Sequence, residues 1–147
     1  MDFKNAFEAA KMPIMVLVAL NIIFAIVGII PMLGFIAGIL SLLMLPIGLL
    51  LYAYAGYEGV KKFKMDLSGG AVAGAVAAVV AGVINSIISF VLIMLGVGAV
   101  AASLAQMGIG AGIASVALLI ALVVGIIIGA IIGAICGAIG AFVAKKK

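Results

Sequence analysis

The sequence predicts an all-α, polytopic membrane protein with four transmembrane helices in two antiparallel hairpins. Three observations predict it. Of the 147 residues, 69% are hydrophobic and only 8% are charged, whereas a soluble domain carries about a quarter charged residues. The eight lysines and four acids fall into three short clusters. Between the clusters lie two charge-free stretches, residues 12–57 and 67–144. Each has room for two spans at about 20 apolar residues per span.

The clusters set the orientation. Asp2, Lys4, Glu8 and Lys11 form the first. Glu58, Lys61, Lys62, Lys64 and Asp66 form the second, and Lys145, Lys146 and Lys147 the third. Four spans place all three on one side and leave the opposite loops uncharged. The positive-inside rule assigns the lysine side to the cytoplasm. Both termini are therefore expected to be cytoplasmic, in a multi-pass protein of the cell membrane.

Each element has its own signals. Residues 1–11 read as a short amphipathic segment, with Phe3, Phe7 and Ala10 on one face and Lys4, Glu8 and Lys11 around the rest. Such a segment suits the headgroup layer or a simple extension of the first span. A cleavable leader is not expected, because Asp2 and Glu8 sit where a signal peptide is basic. Helix 1 is predicted over 12–30, with Pro13 tolerated in its first turn. Pro31 and Gly34 mark a turn. Helix 2 follows over 35–57, kinked at Pro46, which removes a backbone donor. Tyr52, Tyr54 and Tyr57 close it as an interfacial aromatic belt. Helix 3 is predicted over 70–95. Residues 96–112 are dense in glycine and mark a break, either a loop or a re-entrant helix between Gly98 and Gln106. Helix 4 is predicted over 113–143. Thirty residues span about 45 Å against about 30 Å of hydrocarbon, so helices 3 and 4 must tilt or project. The whole of 1–147 reads as one transmembrane domain.

Small residues recur every fourth position. On helix 4 the row is Gly125, Gly129, Gly133 and Gly137, extended by Ala117, Ala121 and Ala141. On helix 3 it is Gly70, Gly74, Ala78, Gly82 and Ser86. This spacing lines one helix face and lets a second backbone approach closely. The faces serve either helices 3 and 4 within one chain or a contact with a second copy.

Polar residues inside the spans are few: Asn21, Asn85 and Ser86 lead, with Ser41, Ser89 and Ser115. An asparagine in hydrocarbon seeks a partner, and such bonds are worth about 0.6 kcal/mol on average. Asn21 and Asn85 are expected near the middles of helices 1 and 3 and to pin packing, with each other as one candidate pair. A polar permeation path is the alternative. Their matched positions also suggest a parallel repeat of the two hairpins about the membrane normal.

Several chemistries lack their residues. The chain has no histidine, the usual proton shuttle and metal ligand, and Cys136 is its one cysteine. No catalytic, cofactor-binding or metal-binding residue is expected, no cofactor is implied, and an enzyme is not expected. The net charge of +4 is accounted for at the membrane edges rather than by nucleic acid. Rotary ATPase proteolipids share the size and glycine content. They require a mid-helix carboxylate, and residues 12–57 and 67–144 contain none.

From Tyr54 to Leu92 the chain reads YAGYEGVKKFKMDLSGGAVAGAVAAVVAGVINSIISFVL. An aromatic helix end, a short lysine loop and a Gly/Ala row ending in Asn-Ser resemble small uncharacterised four-helix membrane proteins of archaea. The resemblance implies the fold and an archaeal source, and carries no activity or site residue. The function expected from the residues is structural: packing through glycine-rich faces with itself or with a larger membrane complex, among membrane lipids. The alternatives are an oligomeric passive pore for ions or small solutes and, more weakly, a pilin-like subunit.

Overall fold

A computed structural model describes residues 3–30, 34–95, 106, 108 and 111–146. The described elements are four α-helices: α1 (Phe3–Ile29), α2 (Gly34–Phe63), α3 (Leu67–Met94) and α4 (Ala111–Lys146). Each contains a stretch long and apolar enough to cross a membrane: Phe3–Val27, Leu42–Phe63, Leu67–Met94 and Leu119–Lys146. Of the turn predicted at Pro31 and Gly34, residues 31–33 lie outside the described residues and Gly34 already opens α2; most of the 96–112 break lies outside them too.

The helices run further into the charged clusters than the sequence suggested. Residues 3–11 continue directly into α1, so Pro13 stands inside the helix and not in its first turn. Its ring is fully buried. The face expected to unite Phe3, Phe7 and Ala10 divides. Ala10 is buried with Ala6 and Ala9, while both phenylalanines are exposed. Small side chains are what let α1 approach its neighbours, and the rings point away beside Lys4, Glu8 and Lys11. Likewise α2 runs through Glu58, Lys61 and Lys62 to Phe63 without ending at Tyr57.

Only Lys64, Met65 and Asp66 link α2 to α3. Lys64 adopts a left-handed backbone, φ 51°, a conformation that commonly ends helices. The Met65 N–H donates to the Gly59 carbonyl at 3.2 Å. Asp66 then caps α3, its Oδ1 accepting from the Gly69 N–H and its Oδ2 from the Ser68 hydroxyl, both at 2.7 Å. The cap satisfies a backbone donor that the first turn leaves open.

The core is made of small residues and sits at the lysine end. Ala6, Ala9, Ala10, Ile14, Ala55, Ala73, Val76 and Ala77 form one buried cluster. α1 packs on α2 and α3, and α4 packs on the other side of the same pair, most extensively on α3. Among the described residues, burial stops at about Leu17, Gly48, Ala81 and Gly133. Beyond these the helices expose long apolar side chains, such as Ile87, Val91, Leu119 and Ile127.

The cap makes stability depend on pH. Hydrogen bonds from Ser68 and then Gly69 hold the Asp66 carboxyl below its ordinary value of 3.8. Its contribution is present above that value and is lost as pH falls through the lower folded one. The melting temperature in detergent should fall as pH is lowered through this range. Asp66→Asn should be less stable at neutral pH and lose less across the same range. An identical pH profile for both proteins would show that the cap does not contribute.

Candidate functional site: a glycine crossing and a polar cavity

Two features merit a functional reading, one at each end of the α3–α4 pair. The first is the point where α2, α3 and α4 cross. A Cβ placed on Gly137 would lie 2.9 Å from the Gly74 Cα and would overlap the Gly70 carbonyl oxygen. One on Gly74 would meet the Gly133 carbonyl and lie 2.7 Å from the Gly137 Cα. One on Gly70 would overlap the Ala141 Cβ, and one on Gly133 would come within 2.6 Å of the Ala78 Cβ. Backbone therefore touches backbone without intervening side chains, the arrangement in which Cα–H···O contacts form.

Four of the seven glycines singled out by spacing meet here: Gly70, Gly74, Gly133 and Gly137. The other three do not. A Cβ on Gly82, Gly125 or Gly129 would find no atom within 4 Å. At 3.6 residues per turn a fourfold row drifts about 40° per step, so Gly82 and Gly125 stand about a third of a turn round from Gly70 and Gly137. α3 and α4 follow each other closely only near the lysine end; further along, Ser86 and Ala121 of the same two rows line a gap between the helices.

The crossing also uses two glycines that the spacing argument missed. Gly56 of α2 lies against the Gly137 backbone, and Gly140 of α4 lies against the Ala53 carbonyl. Gly140 is three positions after Gly137, off the fourfold row, and belongs to the adjacent edge of α4 that meets α2. Both i+3 and i+4 neighbours share a helix face, so a search allowing both would have found it.

Beside the crossing, α2 carries a buried carboxylate. Glu58 is only 6% exposed. Its Oε1 accepts from the Tyr54 hydroxyl at 2.9 Å and from Lys62 Nζ at 2.6 Å. Tyr54 stacks on Tyr57, and Lys61 Nζ bonds to the Tyr57 hydroxyl at 2.8 Å while lying over its ring. Read as loop charges, these residues concealed their spacing. Tyr54, Glu58 and Lys62 are each one helical turn apart.

The intramembrane polar residues separate. Asn21 donates its amide to the Leu17 carbonyl of its own helix at 2.9 Å. Among the described residues no hydrogen bond joins it to Asn85; α1 and α3 meet near the lysine end, where Ala9 and Ala73 share the buried cluster. Asn85 is exposed and lines a cavity of about 400 Å³ between α3 and α4, with Ser86, Ser89 and Phe90 on its own helix and Leu119 and Leu122 opposite.

Comparisons with protein-family models, curated proteins and solved structures returned no match. What can be said of this chain therefore comes from its own geometry.

The crossing predicts a sharp contrast between glycines of one row. Gly137→Ala should cost about 1–3 kcal/mol, the usual range for overpacking a tight site, and Gly133→Leu should prevent the α3–α4 contact. Gly125→Ala should leave monomer stability unchanged or raise it by up to about 1 kcal/mol through helix propensity. Unfolding followed by circular dichroism in detergent reads both. Equal effects at Gly137 and Gly125 would contradict the crossing.

Proposed function

We infer that this chain is a structural membrane protein that assembles with a second copy through the part of its glycine-rich surface left free by its own fold. It spans the cell membrane four times as two antiparallel hairpins, with both termini in the cytoplasm. The observation that carries the reading is the division of the rows. Gly70, Gly74, Gly133 and Gly137 are consumed inside the chain, while Gly82, Gly125 and Gly129 have nothing within 4 Å. In lipid, helices associate through close packing and polar contacts, because lipid tails are as apolar as the side chains. A free small-residue face is the surface on which a second helix can come closest.

The antiparallel arrangement is supported by the order of contacts at the crossing. Gly70 lies by Ala141, and Gly74 by Gly133 and Gly137. The cytoplasmic assignment is supported by the lysines at the ends of α2 and α4. No catalytic step forms part of this reading. The likeness of Tyr54–Leu92 to small archaeal four-helix proteins accords with it and adds no activity.

Two measurements test it. Tags placed before Met1 and after Lys147 should both resist protease added outside intact cells. Cleavage of either would require an odd number of spans or the opposite orientation. Native mass spectrometry in lipid nanodiscs should find dimers or larger assemblies that revert to monomer on Gly129→Leu with the melting temperature retained. A wild-type monomer at every protein-to-lipid ratio would sink the assembly reading. A stable complex with a different protein in place of the dimer would transfer the surface to that partner.

A further inference from the structure

The lysine end of the bundle carries a surface that neither the glycine crossing nor the free glycine face uses. The sequence holds eight lysines against four acids, and the acids beside the α2–α3 link are already engaged. Glu58 is buried and takes Lys62. Asp66 commits both oxygens to the α3 cap, one to the Gly69 N–H and one to the Ser68 hydroxyl. Lys61 donates to the Tyr57 hydroxyl. Among the described residues Lys62–Glu58 is the one salt bridge. Lys64, Lys145 and Lys146 therefore have no carboxylate at ion-pair distance, and all three are exposed.

The fold brings these three lysines to one edge. Gly70, in the first turn of α3, abuts Ala141 of α4, and Lys145 stands one turn beyond Ala141 on the same face. Lys64 is two residues before the Asp66 cap of α3. After the hydrogen bonds from Ser68 and Gly69, the Lys145 ammonium also helps to hold the Asp66 carboxyl below its ordinary value, as a nearby cation does. Lys4 and Lys11 belong to a different edge, because α1 packs on the opposite side of the α2–α3 pair from α4. An apolar ring completes the first edge. Phe142 is exposed, and Lys146 Nζ lies over it at 5.4 Å.

Contacts between the helices fix the level of this edge. A Cβ on Gly59 would lie 3.7 Å from the Ala73 Cβ and 3.8 Å from the Ala9 Cβ. Ala9 follows Glu8 and precedes Lys11, and Gly59 follows Glu58. These charges place the hydrocarbon boundary at about this level, since a charge further in is costly. α2 continues from Gly59 to Phe63, about 6 Å outward, and Lys64 follows. Gly70 is outward of Ala73 on α3, and Lys145 is about 6 Å beyond its neighbour Ala141. The headgroup layer of each leaflet is about 5–8 Å thick, and lysine stems bend along a surface to place their charge. The three ammonium groups thus stand at the level of lipid phosphates and just outside it.

Charge complementarity selects the occupant. Two helix N-termini and two C-termini meet at this end, so their dipoles offset one another and the surplus lysines set the field. A zwitterionic headgroup carries its own cation, which that field repels. An acidic phospholipid brings a phosphate without one. It already lies in the plane of the membrane, and its chains can rest on Phe142 and Val143, which are exposed.

We propose that Lys64, Lys145 and Lys146 form a headgroup site for an acidic phospholipid of the leaflet on the lysine side. Its phosphate sits between the α2–α3 link and the end of α4, and its chains run along α4 at Phe142. The site rests on the four spans proposed above and not on assembly. Tag protection tests the spans by themselves, and assembly size tests the free glycine face, so failure of either is distinct from failure of the lipid site.

The test titrates the full chain in a neutral detergent with dioleoyl phosphatidylglycerol or dioleoyl phosphatidylcholine, and native mass spectrometry counts the retained lipids. Phosphatidylglycerol should be retained saturably and phosphatidylcholine should not. Lys64→Asn combined with Lys145→Gln should weaken retention about tenfold or more, from the usual worth of two lysines at an anionic surface. Asparagine at 64 keeps a residue that tolerates the left-handed backbone. Lys145→Gln alone, away from the link, should show part of the loss, so a folding defect at position 64 cannot hide the outcome. Lys4→Gln combined with Lys11→Gln removes the same charge from the other edge and should change retention by less than about twofold at physiological salt, where distant charges are screened. Equal losses in the two double variants would overturn the site in favour of overall charge. Equal retention of the two lipids, or no loss in the Lys64 and Lys145 variants, would overturn it as well. Displacement by excess inorganic phosphate would assign the lysines to a soluble anion, and displacement by a polyglutamate peptide to an acidic protein segment. Either result would overturn the lipid assignment.

Discussion

Gly137 of α4 rests on Gly56 of α2 and on Gly70 and Gly74 of α3, and the position of α4 depends on this contact. Water cannot drive these helices together, because the apolar side chains are equally at home in lipid. What remains is dispersion, which falls off steeply with distance. A gap of 0.5–1 Å already forfeits about a quarter to a half of a contact. Large core side chains would supply contact area at a greater separation, but the core here is mainly alanine and glycine, and its largest fully buried side chain is Pro13. Attraction has to come from backbone proximity, and only glycine permits that at the crossing. The long residues of α4, among them Ile127, Ile131, Ile135 and Ile139, are exposed, as lipid-facing side chains should be.

The charged end fixes the same structure by other means. Glu58 is buried beside the crossing, yet its Lys62 partner is mostly exposed. One carboxylate thus joins the packed core to the aqueous edge through Tyr54 and Lys62. The three-residue link from α2 to α3 adds a left-handed Lys64 and the Asp66 cap. So short a link keeps the two helix ends together, which holds Gly56 near Gly70. The polar interactions at the edge and the glycine contacts within the bilayer therefore act on one end of the bundle.

This division explains which parts of the sequence were legible. Charge clusters and apolar length were sufficient for four helices long and apolar enough to cross a membrane, because the cost of a charge in hydrocarbon leaves few alternatives. A charged residue resembles a break in the sequence, so the pattern places helix ends at Met12 and Tyr57, whereas α1 begins at Phe3 and α2 runs to Phe63. An interface is wide enough for helical turns carrying Glu58, Lys61 and Lys62, or Lys4 and Glu8, so charge marks where hydrocarbon ends and not where a helix ends. The glycine rows were legible as faces. Their partners were not, because periodicity is uniform along a helix whereas contact depends on where two axes diverge. Gly133 and Gly129 are identical in pattern and differ only in distance from the crossing.

The two asparagines show the same limit in chemical form. In sequence each is one amide within an apolar helix, and a matched pair was the natural expectation. In the fold Asn21 is held by its own helix at Leu17, while Asn85 borders a cavity with two serines. The difference arises from the asymmetry of the bundle. Where the helices close on their glycines no space remains for a ligand. Where they part, α3 and α4 leave a gap bounded by side chains that the crossing does not engage. Tight packing at the lysine end and an open polar cavity at the other are thus consequences of one geometry: helices joined at a glycine contact near one end diverge toward the other.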